Sequence, residues 1–104
     1  MRIIEIEKDL VPYEFQIELK STLYTFSIRY NQEYDFYTVD LSIGDDIIVE
    51  GEKMVLNSLL FSSYSHLDVS MGILPMDIAD KAERLGEKEL MDTVFLYLVG
   101  DLNV

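Results

Sequence analysis

The chain is predicted to be mainly β: a small antiparallel barrel or sandwich of about six to seven strands with one short helical segment, forming a single domain over residues 1–104. Three observations predict it. Apolar and polar residues alternate with a period of two along Tyr13–Leu19 and again along Tyr24–Tyr30, a pattern that a helix of 3.6 residues per turn cannot place on one face. Turn-forming clusters recur at spacings of about ten residues. Helical composition is confined to one stretch, Ile78–Met91.

The first strand is predicted at the N-terminus, where Ile4 and Ile6 alternate with Glu5 and Glu7 before the polar Lys8-Asp9 pair. Pro12 then opens a second strand. Proline lacks a donor and suits the start of an edge strand; after it Tyr13, Phe15, Ile17 and Leu19 alternate with Glu14, Gln16 and Glu18. Lys20-Ser21-Thr22 is a short polar connection to a central hairpin. In the hairpin Tyr24, Phe26, Ile28 and Tyr30 point one way, Asn31-Gln32-Glu33-Tyr34-Asp35 turns the chain, and Phe36–Leu41 returns. Tyr13–Leu19, Leu23–Tyr30 and Phe36–Ile43 are thus expected to form an antiparallel meander.

Gly44-Asp45-Asp46 is the next turn, followed by a fourth strand at Ile47-Ile48-Val49 and a second stop at Glu50-Gly51-Glu52-Lys53. Met54–Phe61 suits a short buried strand or a helical turn, with the extended form preferred. Ser62–His66 reads as loop, and Leu67–Leu74 as a further short strand interrupted by Gly72 and closed by Pro75. Asp77 is placed to cap a turn or two of helix in Ile78–Met91, which Gly86 weakens. Thr93–Val99 is an apolar strand expected to be buried on both faces, ahead of a tail, Gly100–Val104, that is expected to fray.

Hydrophobic residues make up 49% of the chain and aromatics 12%, enough apolar surface to drive a globular core. Eight Lys and Arg face 20 Asp and Glu, a formal net charge of -12 that repels phosphate backbones and anionic membranes. Direct nucleic-acid and membrane binding are therefore not expected. Basic protein partners, cations or plain solubility are the natural uses of such a surface. Without cysteine there is no disulfide framework and no thiolate metal site. Glu5 and Glu7 break any secretory apolar core, and Val94–Val99 falls far short of the roughly 20 residues of a membrane-spanning helix.

No residue is expected to be catalytic, cofactor-binding or metal-ligating, and no small-molecule substrate is expected. His66 is the single histidine, so a two-histidine zinc site is impossible within one chain, and Ser63 and Ser65 beside it are ordinary loop composition. A hydrolase built on His66 is accordingly the weakest reading. Asp45-Asp46, with Asp40, lack the spacing of a calcium loop and read as a solvated turn. Gly44, Gly51 and Gly86 make no phosphate-binding loop. Tyr24, Tyr30, Tyr34 and Tyr37 suit strands and interfaces as well as stacking on sugars or bases, and nucleic acid is disfavoured by the missing basic groove. Met71, Met76 and Met91 read as core gap-fillers rather than interface residues. The Pro12 strand, with Glu14 and Glu18 outward, reads as an edge guarded against uncontrolled pairing.

The succession Pro12–Leu19, Tyr24–Asn31 and Phe36–Leu41, then Asp46–Gly51, Leu56–Leu60, Leu85-Gly86 and Val94–Tyr97, resembles the baseplate plug family of contractile-tailed cyanophages, small members of which also occur in prophages. The chain departs from that pattern at Lys20-Ser21-Thr22, where a glycine-containing turn is common, at Phe36, where tryptophan is common, and at Glu52-Lys53, in place of a Pro-containing turn. The resemblance implies an all-β, non-enzymatic structural subunit near the hub at the distal end of the tail tube, with no catalytic residues or cofactors to carry over. It further implies tail hub and tube proteins as partners, possible self-association, and passage from the host cytoplasm during assembly to the virion tail. The alternative drawn from charge alone is an acidic DNA mimic that inhibits a nuclease or restriction enzyme, though the carboxylates are dispersed along strands rather than gathered on one face.

Overall fold

The computed structural model describes residues 2–19, 21–61 and 71–100, the side chain of Met71 apart. Within them lie seven strands: β1 (Arg2–Ile4), β2 (Tyr13–Leu19), β3 (Thr22–Asn31), β4 (Phe36–Ile43), β5 (Asp46–Lys53), β6 (Met71–Met76) and β7 (Phe95–Gly100). They form two antiparallel sheets, one of order β2-β3-β4-β5 and one of order β1-β7-β6. The mainly β class is borne out. Neither sheet closes on itself, so the barrel form is set aside. Contacts divide the chain into two compact units, one of residues 7–53 and one whose described parts lie within 1–6 and 54–100.

The meander of residues 13–43 is as the alternation requires. Tyr13 pairs with Ile28 and Leu19 with Thr22, and the β2–β3 ladder is unbroken between them. Because paired residues share a face, Phe15 meets Phe26 on the side that carries the buried Tyr24, Ile28, Tyr37, Val39, Leu41 and Val49. The β3–β4 turn uses its polar residues as anticipated: Asn31 Oδ1 accepts the Tyr34 N–H at 2.9 Å, and Asp35 has φ 57. Tyr30 then donates to Asp35 at 2.5 Å.

β5 departs from expectation. Rather than stopping at Glu50, it continues to Lys53, and its register against β4 shifts twice, between Val39 and Leu41 and between Leu41 and Ser42. Gly51, at φ 73, supplies the left-handed residue that a bulge of this kind needs. A glycine flanked by glutamates reads locally as a chain stop, whereas here it marks a kink within a strand.

In the second unit β7 is central, with β1 on one side and β6 on the other. Leu96, Tyr97 and Leu98 are all buried, as expected of a strand covered on both faces. Ile4, Ile6, Met54, Leu60, Phe61, Ile73, Leu85, Leu90 and Val94 complete this core. β6 runs through Pro75 to Met76 instead of ending at the proline, which a strand tolerates where no ladder donor is needed. The remainder of the expected Leu67–Leu74 strand, the Ser62–His66 loop and residues 101–104 lie outside the described residues.

Two further expectations are corrected. Met54–Phe61 is neither strand nor helix. It is a run of turns with left-handed Asn57 (φ 64) and Phe61 (φ 63), lying along β6 so that Asn57 donates to the Pro75 carbonyl at 2.8 Å and Leu60 to the Ile73 carbonyl at 2.9 Å. Gly72 lies close beneath it: a Cβ there would stand 2.9 Å from Leu59 Cδ2, so that side chain would have to swing aside. Ile78–Met91 forms no helix either. The short helical element among the described residues is a 3-10 turn at Lys8–Leu10. Asp77 does collect amides, from Ala79 (3.0 Å), Lys81 (3.0 Å) and Ala82 (2.9 Å), but Asp80 turns left-handed at φ 57, and the capped segment becomes a loop. Hydrogen bonds led by the Ala82 and Lys81 N–H groups hold the Asp77 carboxyl below its ordinary value.

Candidate interaction surface

The buried set among the described residues is wholly hydrophobic, so any site must be sought at the surface and along strand edges. The sequence candidates for chemistry separate in space or fall away. His66, Ser63 and Ser65 lie outside the described residues. Asp40 does not join Asp45 and Asp46 around a cation. It sits on β4 opposite the bulge, accepting the Gly51 N–H at 2.7 Å and facing Arg29 Nη2 at 3.4 Å. No group of three potential metal-binding side chains occurs among the described residues.

The tyrosines do not form a stacking platform. Tyr24 and Tyr37 are buried, and the Tyr37 ring lies 4.8 Å from that of Tyr30; Tyr34 at the hairpin tip is exposed. Met76 and Met91 are half-buried and the Met71 side chain lies outside the described residues, while among the described methionines Met54 fills a core.

What remains is the rim of the four-stranded sheet. On β2, Tyr13, Phe15 and Ile17 are half-buried, while Glu14, Gln16 and Glu18 are exposed on the opposite face. Rings carry the half-buried row into the sheet: Tyr13 and Phe15 stand 5.4 Å apart, and Phe15 stacks on Phe26 at 5.5 Å with 9° between planes. The Tyr13 hydroxyl accepts the Glu7 N–H at 2.8 Å, which ties the chain leading into β2 to the start of that strand. A shallow open cleft lined by Pro12, Tyr13, Glu14, Ser27, Ile28 and Arg29 runs beside it. At its mouth Ser27 donates to Glu14 at 3.3 Å.

Alternation alone revealed the outward Glu14 and Glu18. The role of Asp40 was not visible, because its partner Gly51 is opposite only once the bulge has formed; a glycine inside a β-branched and acidic run was the available sign. Among the described residues, scattered apolar side chains are also exposed: Leu10, Leu23 and Ile47 in one unit and Ile3, Val55, Leu59 and Ile78 in the other.

No curated protein matches the chain. The family model described as cyanophage baseplate Pam3 plug gp18 matches residues 1–101. That match spans both sheets and the turns between them, and the chain belongs to this family of phage baseplate plugs.

Proposed function

We propose that this chain is a non-enzymatic structural subunit of a phage or prophage tail baseplate, seated near the hub at the distal end of the tail tube and helping to close the lumen before ejection. The observation that carries the reading is membership of the baseplate plug family over residues 1–101. The net charge of -12 supports it, since a wall of that sign lets DNA slide past without sticking and attracts basic neighbours. Its partners are hub and tube proteins or further copies of itself. It is made and assembled in the host cytoplasm before it joins the virion tail, and it acts as one all-β domain.

The test is affinity capture with the tagged chain from lysate of the producing host, paired with labelling of the same chain on intact tails viewed by electron microscopy. Stoichiometric recovery of hub or tube proteins and a label at the distal tail tip are the expected outcomes. Salt-sensitive capture of a nuclease or restriction subunit, with no tail protein, would overturn the reading in favour of a DNA mimic.

A further inference from the structure

The two sheets present four edges, and they are not alike. β1 is three residues long, too short to template a partner. The outer side of β6 already receives the Asn57 and Leu60 amides, and Pro75 has no donor to offer. β5 is broken by two register shifts and the left-handed Gly51. β2 differs from all three. Its register with β3 is continuous over seven residues, and no strand pairs with its other side among the described residues.

A long, regular edge exposes unpaired N–H and C=O groups and invites a further strand unless charge restricts which strand can come. Glu14 and Glu18 supply that charge on one face, with Gln16 between them. In a self-pairing that used all of β2 antiparallel, Gln16 would face Gln16, and Glu14 would face Glu18 on both sides of the axis. Like charges placed directly opposite are destabilising, and each copy brings a net charge of -12. On the other face Tyr13, Phe15 and Ile17 are half-covered, leaving apolar surface that a neighbouring strand would bury.

We propose that the free edge of β2 is a docking strand that takes an extended segment of a partner protein carrying basic and apolar side chains in alternation. The basic residues pair with Glu14 and Glu18, the apolar ones extend the Tyr13–Phe15–Ile17 row, and the main chain adds a strand beside β2. This deepens the structural-subunit reading and rests on it, by naming the edge used and the chemistry that selects the partner.

The test uses the full chain and two capped nine-residue peptides, one alternating Lys with Val and the other Glu with Val, followed by amide chemical shifts. The Lys peptide is expected to shift the amides of residues 13–19, with binding weakened about tenfold between low and high salt. Glu14→Lys with Glu18→Lys, both at exposed positions and checked for fold by circular dichroism, should exchange the preference, losing the Lys peptide and gaining the Glu peptide by about tenfold. The proposal is overturned if neither peptide moves the β2 amides, if the preference does not exchange, or if the shifts centre on another edge. It is equally overturned if the unliganded chain dimerises through β2. The same double variant, used as bait, separates the two readings. Undiminished capture of hub or tube proteins would leave the baseplate role standing and refute the β2 edge. Failure of the natural chain to capture any tail protein would refute the baseplate role itself.

Discussion

Asp40 offers the most incisive test of what holds the β4–β5 hairpin, because its carboxylate serves two partners of unequal worth. It accepts the Gly51 N–H at 2.7 Å inside a bulge, where its own side chain is only 16% exposed, and it faces Arg29, which is 67% exposed, at 3.4 Å. A hydrogen bond to a charged acceptor contributes about 1.5–3 kcal/mol when well shielded, whereas an ion pair with a solvated guanidinium contributes about 0–1 kcal/mol. The hairpin margin is partly wet, so the lower end applies, and Asp40→Ala is expected to cost about 1.5 kcal/mol. Asp40→Asn keeps an acceptor without the charge and should cost roughly half that, while Arg29→Ala should cost about 0.5 kcal/mol or less. Urea unfolding followed by tyrosine fluorescence gives the comparison, with the Asp40→Ala midpoint falling by about 1 M. An Arg29→Ala loss equal to that of Asp40→Ala would refute the reasoning. It would mean that the ion pair, rather than the bulge amide, carries the energy.

Gly51→Ala should destabilise by about 1 kcal/mol in the same assay, since φ 73 is costly for any residue with a Cβ although nothing lies within 4 Å of the added atom. Removing residues 1–6 strips β1 from β7 and exposes Ile4 and Ile6 contacts worth about 3–6 kcal/mol, so thermal unfolding should shift sharply downward and gel filtration should show association through the bared edge. Leu90→Ala should cost about 2–5 kcal/mol and Ile78→Ala almost nothing in denaturant titrations, because the first is fully buried and the second is 69% exposed. Asp77 titrates below the ordinary 3.8, so the stability it adds is present above that value and is lost as pH falls through its folded pKa. Carboxyl NMR should show the depressed titration, with exchange of the Ala79, Lys81 and Ala82 amides rising over the same range; Asp77→Asn should abolish that pH dependence.

The parts of this fold that were legible are those written in neighbouring residues. Tyr13–Leu19 and Phe36–Ile43 emerge with their anticipated bounds because alternation is a local consequence of one buried face. The Asn31–Asp35 turn was equally plain, since its polar side chains bond within the turn itself. The helix at Ile78–Met91 failed because propensity is a weak prior. Asp77 gathers three amides of the following residues, and left-handed Asp80 (φ 57) and Met91 (φ 64) turn the chain while Leu85 and Leu90 are buried from a loop. Which strands share a sheet was invisible for a different reason: the pairing of β1 with β7 leaves no mark on either segment. The candidate surface followed the same rule. The outward glutamates of β2 were readable, whereas the isolation of its edge depends on how each of the other edges is shortened, covered or kinked.

The pairing of Arg2 with Leu98 also sets a schedule for folding. The β2–β5 meander joins consecutive segments and can form as soon as it has left the ribosome, because each hairpin closes a short loop. β1 is synthesised before any of it and yet has its hydrogen-bonding partner near residue 98, which at about 5–20 residues per second emerges roughly 5–20 s later. Throughout that interval Ile4 and Ile6 wait without the strand that will cover them. The three-stranded sheet therefore closes only after the meander can already have formed.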